Sequence, residues 1–491
     1  MAGRWRSERT EATTFAEKLC LCPPQPDGLR VPQSRQLRLA IASNSTNTIA
    51  LRGQVRKARA HYPAGMMIRS LPITPRAALR RPIAAAAALA TAILLLCIPA
   101  ARAQPPGVTT VPGDVSTTPV PASRLARLAK GVNLSHWYWL PKDATLETRQ
   151  KFITDADLAA LKAAGITHVR LPVEPDALWK TPGSHFDMEV LEPLLADIKR
   201  INAAGLAVVF DPHTSKQGPW LAIDPRDARI DLLLMFWSEF APIIAETDPE
   251  MVFIELLNEP HNIKDATLWW QAQDRLIKTI RHRVPDHTII ATGDEWGGPE
   301  GLKRLFPHED KNVVYSFHFY EPHIFTHQGA NWGWAGWKHI TGLEYPSSEA
   351  NAEAVAAAVL KGRENDEDAK NGAWSVRDFA KKPWNKDRIA GEISLVQTWA
   401  TTHQVPIWCG EFGVYIEHSP RASRLAWTRD LREALEGAGI GWCMWDYAGG
   451  FALTTGSPGA RALDTELAAA LGLNPPASDK KSEENTPEQK K

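Results

Sequence analysis

Two glutamates stand at the ends of apolar runs in this sequence. Glu259 lies in Asn258-Glu259-Pro260, and Glu411 lies in Gly410-Glu411-Phe412-Gly413. Two carboxyl groups that face each other across a cleft are suited to cleaving a glycosidic bond. One must be protonated to donate to the leaving oxygen while the other stays ionised to attack the anomeric carbon, so their environments must differ. We therefore take Glu259 and Glu411 as the candidate catalytic pair.

Further polar and aromatic residues close other apolar runs. Asn258 is placed to hold a sugar 2-hydroxyl, and Tyr320 to hydrogen-bond the nucleophile and keep it ionised. Taken alone, a glutamate at a strand end is often a salt-bridge partner, and His213 or His318 would more often be a core histidine. The number of such residues at successive run ends favours a functional site. The candidate substrate-binding residues are Arg170, His213, Asn258, His318, Tyr320, Trp445, Trp137 and Trp296.

A metal centre is the rival chemistry for the same ends. Its ligands would come from His136, His213, His261, His318 and Asp211. The first run carries no His-x-His pair, and no His-Glu-x-x-His helix motif occurs anywhere in the chain. We therefore predict no metal and no other cofactor.

The tryptophan content favours a sugar ligand. The chain has 19 Trp, and several fall in segments that follow apolar runs, among them Trp137, Trp296 and Trp445. Flat aromatic faces can stack on the apolar face of a pyranose ring, whereas tryptophans within helical segments are explained by burial in the core. We expect the loop tryptophans to bind a β-linked glucan.

Eight apolar runs, each followed by a segment of helical period, must position these residues. This alternation predicts a closed parallel (β/α)8 barrel, whose strands are buried on both sides and whose reacting groups lie at the carboxyl ends of strands. An open doubly wound sheet is the alternative, but the first run lacks a glycine-rich phosphate turn. The sixth connection, from Glu321 to about Ser348, is the longest. The predicted strands are Leu128–His136, Thr167–Val173, Leu206–His213, Met251–Pro260, Thr288–Gly293, Val313–Tyr320, Val405–Gly413 and Gly439–Tyr447.

The regions flanking the barrel differ in composition. Residues 66–103 have basic residues, the apolar run Ile83–Ile98 and Ala101-Arg102-Ala103, which is typical of a secretory signal peptide cut after Ala103. The alternative is a membrane anchor, for which the run is short. We assign 1–65 to a mis-set start or a disordered extension, 104–123 to a linker, 124–474 to the barrel and 475–491 to a disordered tail.

The balanced charge of the whole chain hides two unlike parts. Residues 1–103 hold 16 of the 56 Lys and Arg but only 4 of the 56 Asp and Glu, which leaves 40 bases and 52 acids afterwards. A secreted or periplasmic protein with a formal charge of about −12 is a poor partner for nucleic acid or anionic lipid. We expect a monomer with no stable membrane association. Cys409 and Cys443 are either bridged or buried as free thiols.

Several motifs resemble glycoside hydrolase family 5, the cellulase family. They are Gly165-Ile166-Thr167-His168-Val169-Arg170-Leu171-Pro172, Val208-Val209-Phe210-Asp211-Pro212-His213, Glu255-Leu256-Leu257-Asn258-Glu259-Pro260, His318-Phe319-Tyr320, Ile407-Trp408-Cys409-Gly410-Glu411-Phe412-Gly413 and Trp442-Cys443-Met444-Trp445. The resemblance covers roughly residues 125–471. It implies a (β/α)8 barrel and a retaining mechanism, with Glu259 as acid/base and Glu411 as nucleophile.

The resemblance also implies roles for the other matching positions. Arg170 would support the nucleophile, and Asn258 would bind the 2-hydroxyl. The −1 sugar would be framed by His213, His318 and Tyr320, with Trp445 as its platform. The implied activity is that of an endo-β-1,4-glucanase or mixed-linkage glucanase. A β-1,3-glucanase, a β-mannanase, an exo-β-glucosidase and, from another class, a non-catalytic glycan-binding or polysaccharide-assembly protein remain alternatives.

Overall fold

The computed structural model describes residues 115–474, apart from residues 180, 182, 216–228 and 264. The predicted segments 1–65, 66–103 and 475–491 lie outside the described residues, as does the predicted linker up to residue 114. Within the described part of the chain, no helix is both long enough and apolar enough to cross a membrane.

Eight parallel strands form a closed barrel in which each strand pairs with its neighbours in chain order and β8 pairs with β1. Each predicted strand is present, and the observed strands are shorter at one or both ends. This result confirms the (β/α)8 fold. The strands are β1 (Lys130–Asn133), β2 (His168–Val173), β3 (Ala207–Pro212), β4 (Val252–Glu255), β5 (Ile289–Thr292), β6 (Val313–His318), β7 (Ile407–Glu411) and β8 (Gly441–Met444).

The strand side chains alternate between two apolar clusters. Val208 and Phe210 of β3 pack into the large cluster beneath the helices, whereas Val209 packs into a small cluster with Phe253 and Ile290 of neighbouring strands. Because both faces of the sheet are covered, the strands are continuous apolar runs, as expected for a parallel sheet. This burial fixes the register that brings polar residues together at the carboxyl ends.

Helices cover the barrel from outside. The ones used below are α1 (Ala122–Arg127), α2 (Leu146–Phe152), α3 (Asp155–Ala163), α4 (Pro175–Leu178), α5 (Met188–Ala203), α6 (Arg229–Ile244), α7 (Ala266–Arg281), α8 (Pro299–Arg304), α9 (His323–Thr326), α10 (Glu349–Leu360), α11 (Glu367–Lys381), α12 (Lys386–His403), α13 (Arg421–Gly437) and α14 (Thr465–Ala470). Many begin at a side-chain cap. Thr154 at the start of α3, for example, forms a reciprocal capping box with Asp157.

The amino-terminal boundary of the barrel lies earlier than predicted. The backbone N–H of Ser116 donates to Asp310 at 2.7 Å, and Ser116 accepts a hydrogen bond from Lys311. Helix α1 begins at Ala122, and Val120 packs against the small apolar cluster. Residues 115–123 are therefore part of the folded domain, and the predicted linker 104–123 was drawn too long because its Pro, Thr and Val lack periodicity.

The sixth connection is long, as predicted, and contains more structure than predicted. Between β6 and β7 the chain forms α9, a short 3₁₀ helix at Trp337–His339 and then three helices, α10 to α12. Helix α11, which the sequence did not predict, packs against α10. Near the carboxyl terminus a two-stranded sheet forms from Thr454–Thr455 and Ala462–Leu463, and α14 begins after it at Thr465.

Candidate active site

Arg170 of β2 is the hub of the polar cluster at the carboxyl ends of the strands. Its side chain is fully buried and reaches three carboxylates. Nε and Nη2 donate to both oxygens of Glu255, at 2.7 and 2.9 Å, while Nη1 lies 2.5 Å from Oε1 of Glu411. Nη2 also lies 2.9 Å from Asp211. A planar guanidinium suits such a site because its five donors point in fixed directions.

Glu411 is the last residue of β7 and is buried. Arg170 holds one carboxylate oxygen, and the Tyr320 hydroxyl donates to the other at 2.9 Å. Burial raises the pKa of Glu411 above the usual carboxyl range, while His318 and Arg170 act in the opposite direction. Donors to both oxygens favour the ionised form and fix its orientation.

An irregularity in the β6–β7 pairing places His318 beside Glu411. The register shifts between Phe317 and His318, so that His318 becomes the partner of Glu411. The Nδ1 atom of His318 lies 2.9 Å from Oε1 of Glu259 and 3.6 Å from Oε2 of Glu411. Bulges commonly redirect a side chain beside an active site, and this one puts a ring nitrogen between the two carboxylates.

Glu259 follows β4 in an unusual backbone conformation. Its φ angle is +42°, in the left-handed region that non-glycine residues rarely occupy, which is a form of strain often found at functional sites. Its side chain is 22% exposed. Burial raises the pKa of Glu259 to about 7, and Arg170 opposes that rise while Glu255 adds to it. Glu259 can therefore be protonated near neutral pH.

A second chain of contacts leads from Arg170 through Asn258. The Asn258 carbonyl oxygen accepts from Arg170 at 2.8 Å, and its amide nitrogen lies 3.0 Å from Nε2 of His213. The Nδ1 atom of His213 lies 2.8 Å from Asp211. Burial lowers the pKa of His213 to about 3 and that of His318 to about 4, so both rings are neutral at ordinary pH. The neutral His213 therefore donates from Nδ1 and accepts at Nε2.

Aromatic rings surround the carboxyl pair on two sides. Trp445, after β8, is half-buried and stacks on His213 with ring centroids 5.5 Å apart. Trp139, after β1, packs on His213 at 4.3 Å and edge-on to Trp445. On the other side Trp296 is 53% exposed and stacks on His261. Trp445 and Trp296, which were predicted to bind substrate, therefore both lie beside the site.

Trp137 is the one predicted site residue that the structure removes from the site. Its side chain is fully buried, and its indole N–H donates to the backbone oxygen of Arg149 at 2.9 Å. The prediction that Trp137 binds substrate is wrong because no face of the ring is open to a ligand. Trp139, two residues later, lies next to His213 instead.

The cluster also contains residues that were absent from the predicted catalytic and substrate-binding set, namely Asn133, Trp139, Asp211 and Glu255. Asn133 donates to the backbone oxygen of Gly410 and accepts from Arg170, and Glu255 forms the two-point ion pair with Arg170. The signal for Glu255 was present, since it is an acid within an apolar strand. Asn133 is a polar residue at the end of the first strand, and Trp139 is an aromatic residue in the loop that follows that strand.

The described residues contain one group of three side chains whose potential metal-ligand atoms all lie within 4.8 Å of one another, and it consists of Glu259, His318 and Glu411. Of the metal ligands that the sequence suggested, only His318 belongs to this group. His213 and His261 are already engaged, the first with Asp211 and the second with the Glu259 backbone oxygen. Cys409 and Cys443 are buried free thiols.

The family model of the cellulases (glycosyl hydrolase family 5) matches residues 130–450. Endoglucanase 3 of Fibrobacter succinogenes is 27% identical over 368 residues, which cover 72% of this chain but only 54% of that protein. Endoglucanase C of Acetivibrio thermocellus is 26% identical over 335 residues, 65% of this chain and 90% of that protein.

A solved structure shares the fold over the same region. Endoglucanase Cel5A of Thermotoga maritima has a TM-score of 0.58 and 24% identity, and the comparison covers 72% of this chain and 99% of that one. The family match spans every strand of the barrel and every residue of the carboxylate cluster. The chain is a glycoside hydrolase and belongs to the cellulase family, glycosyl hydrolase family 5.

Proposed function

We propose that the protein is an endo-acting β-glucanase that cleaves β-1,4 or mixed-linkage glucan with retention of anomeric configuration. The observation that carries the proposal is the placement of Glu259 and Glu411, one oxygen of each lying within 4.8 Å of the other. Retaining glycosidases hold their carboxyl groups about 5–5.5 Å apart, whereas inverting enzymes leave about 6.5–9.5 Å for a water molecule.

The reaction proceeds in two displacements. In the first, protonated Glu259 gives its proton to the glycosidic oxygen while ionised Glu411 attacks the anomeric carbon, which releases the leaving sugar and forms a glycosyl ester. In the second, Glu259 takes a proton from water as that water attacks the anomeric carbon. Glu411 is released, and Glu259 is protonated again.

The environments of the two carboxyls support this division of roles. Glu259 lies within hydrogen-bond distance of the neutral His318 and has a pKa of about 7, so it can hold a proton. Glu411 receives Arg170 and Tyr320 on its two oxygens, and these donors favour its ionised form against the burial that raises its pKa. Two carboxyls whose environments separate their pKa values are the usual arrangement for an acid and a nucleophile.

The substrate is a neutral β-linked glucan. Trp445 and Trp296 supply aromatic faces on either side of the carboxyl pair, and the relatives named above are called endoglucanases. We also propose that the enzyme is secreted or periplasmic, is monomeric and starts at Gln104 after removal of residues 66–103. The acidic mature chain suits an uncharged polysaccharide.

The product profile on four polymers tests the substrate. We expect carboxymethyl-cellulose and lichenan to lose viscosity quickly and to yield a range of oligosaccharides, because an endo enzyme cuts within chains. Laminarin as the preferred substrate would indicate a β-1,3-glucanase, and mannan a β-mannanase. Release of glucose alone, without loss of viscosity, would indicate exo action. Intact polymers in every assay would contradict the proposal.

A further inference from the structure

The backbone at the acid/base carboxyl has a conformation that requires support from its surroundings. Glu259 has a φ angle of +42°, and Asn262, three residues later, has a φ angle of +59°. Residues other than glycine rarely occupy this left-handed region, and they remain there only when the surrounding structure holds them. The contacts of the turn from Glu259 to Asn262 therefore determine which way the Glu259 side chain points.

His261 contacts the backbone of Glu259 directly. Its Nδ1 atom lies 2.8 Å from the Glu259 carbonyl oxygen, and the residue is half-buried. Burial lowers the pKa of His261 below the usual histidine value, whereas the Glu259 carbonyl and the Glu295 carboxylate act in the opposite direction. A neutral ring beside a carbonyl oxygen carries its proton on the nearer nitrogen, so His261 donates from Nδ1. This bond fixes the peptide plane that follows Glu259.

The loop after β5 holds the His261 ring in place. The Trp296 ring stacks on His261 with centroids 3.4 Å apart and planes 7° apart. The backbone N–H of Trp296 also donates to the carbonyl oxygen of Pro260 at 3.1 Å, so this loop contacts the turn through both its backbone and its side chain. Because the stack covers one face of the His261 ring, it restricts rotation of that ring and keeps the donor aimed at Glu259.

The same loop also supports the histidine that contacts the Glu259 carboxyl. The Gly297 carbonyl oxygen accepts from the His318 N–H at 2.8 Å, and Nδ1 of His318 lies 2.9 Å from Oε1 of Glu259. Glu259 is thus contacted at its carboxyl by His318 and at its backbone by His261. Because both histidines contact the loop after β5, this loop links the two ends of the Glu259 residue.

We propose that His261 is a positioning residue for the acid/base, and that it keeps the Glu259 carboxyl directed at the glycosidic oxygen by holding the Glu259 carbonyl. The inference deepens the proposed function and rests on it. Glu411 receives its donors from Arg170 of β2 and from Tyr320 after β6. Loss of the His261 donor should therefore impair proton donation and leave nucleophilic attack intact.

Two substrates distinguish proton donation from nucleophilic attack. Lichenan has a sugar leaving group that requires a proton from Glu259, whereas the dinitrophenolate released from 2,4-dinitrophenyl β-cellobioside leaves without one. For both substrates kcat/KM reports the steps up to the first displacement. A defect in the acid therefore lowers this value on lichenan alone, whereas a general loss of structure lowers it on both substrates.

Two variants separate the hydrogen bond from the stacked ring. His261→Phe keeps a flat ring against Trp296 and removes the donor. We expect it to lower kcat/KM on lichenan about tenfold, a part of the roughly 10²–10⁴-fold that a general acid contributes, and to leave kcat/KM on the dinitrophenyl substrate unchanged. In His261→Asn the amide nitrogen is attached to Cγ, as Nδ1 is, and can donate to the Glu259 carbonyl. This variant should recover most of the activity on lichenan.

His403→Phe is the matched control. His403 is likewise half-buried and packs on a tryptophan, Trp399, with ring centroids 4.9 Å apart. It is the last residue of α12, which leads into the amino end of β7, so it lies at the end of the barrel opposite Glu411. We expect this variant to keep the wild-type kcat/KM on both substrates.

The outcomes separate the positioning role from the function on which it rests. Equal losses on both substrates in His261→Phe, or no loss on lichenan, would overturn the positioning role while leaving the proposed function in place. A loss in His261→Asn as large as that in His261→Phe would overturn the role of the donor. His261→Leu removes the same donor and takes the place of His261→Phe if that variant does not fold. A wild-type enzyme that hydrolyses neither substrate would overturn the proposed function itself.

Discussion

Glu411 has a donor on each oxygen, and Glu259 lies 2.9 Å from a ring nitrogen of the neutral His318. This difference is the residue-level basis of the proposed mechanism, in which Glu411 must be ionised when Glu259 is protonated. Arg170 contributes to both states. It hydrogen-bonds Glu411 directly, and its charge also opposes the rise in the pKa of Glu259.

Replacing either carboxylate has a distinct effect. We expect Glu411→Gln to abolish turnover, because no other group can form the glycosyl ester, while glucan binding remains measurable by calorimetry. Glu259→Gln should lose activity on glucan and keep it on a substrate whose leaving group needs no proton, such as 2,4-dinitrophenyl β-cellobioside. Normal activity on glucan in either variant would disprove the assignment.

The pH dependence follows from the raised pKa of Glu259. As the pH rises through about 7, this group loses the proton that the leaving oxygen requires, so kcat/KM on glucan should fall above about pH 7. On 2,4-dinitrophenyl β-cellobioside the first step needs no acid, so this alkaline decline should disappear. Parallel profiles on both substrates would show that another group causes the decline.

The mistaken choice of Trp137 over Trp139 shows what a residue pattern leaves open. Three consecutive aromatic residues follow β1. The alternation of side chains between the two faces of a strand does not extend into a loop, so it cannot show which ring is buried. His136 and Leu140 have φ angles of +59° and +45°, so the backbone turns on both sides of the triplet. No sequence signal marks left-handed conformations at these residue types, and the inward ring could not be told from the outward one.

At the scale of elements, the β6–β7 pair sets the distance between His318 and Glu411. Gly410 lies before the nucleophile, and a Cβ there would sit 2.8 Å from the Ser316 hydroxyl and 3.1 Å from the His318 ring. Both contacts are tighter than real side chains normally make. The absence of a side chain at this position is therefore a condition for the close approach of the two strands.

Adding one carbon at this position should disturb the site. We expect Gly410→Ala to lower kcat/KM on glucan by tenfold or more, roughly the effect of misplacing a catalytic group, and to lower the melting temperature. Gly391→Ala is the control, since Gly391 lies in α12 and a Cβ there meets nothing within 4 Å. It should stabilise the protein by about 0.5–1 kcal/mol with unchanged activity. Equal behaviour of the two variants would contradict this explanation.

The sequence predicted the strands better than the connections. Apolar runs such as Thr167–Val173 identify strands because burial on both faces leaves no polar position, and the reacting residues then follow from the carboxyl ends. Helix α11 and the small sheet at Thr454–Thr455 are surface elements with weaker apolar patterns. The bulge at His318 depends on the backbone pairing of two strands that are distant in sequence, which a single run cannot reveal.

At the scale of the molecule, closure of the barrel brings together residues that are far apart in the sequence of the barrel domain. Asn133 and Trp445 come from its two ends and meet the same cluster as Glu259. The family resemblance pointed to the carboxyl pair and to Arg170, and the structure brings these three residues together. The hydrogen bonds that distinguish acid from nucleophile required the structure.

The proposed signal peptide leads to a prediction about the whole molecule. If residues up to Ala103 are removed, the secreted protein should begin at Gln104 and carry a formal charge of about −12, so its isoelectric point should lie well below the 7.3 of the full chain. Amino-terminal sequencing and isoelectric focusing of culture or periplasmic fractions check this. An intact amino terminus at residue 1 in those fractions would contradict it.

Trapping the glycosyl ester tests the central claim most directly. Treatment with 2,4-dinitrophenyl 2-deoxy-2-fluoro-β-cellobioside should form an ester that hydrolyses slowly, because fluorine destabilises the oxocarbenium-like transition state of both steps. Peptide mapping by mass spectrometry should then find the added fluorocellobiosyl group on Glu411. A label on Glu259, or no covalent label from an enzyme whose first product is the α-anomer, would contradict the mechanism.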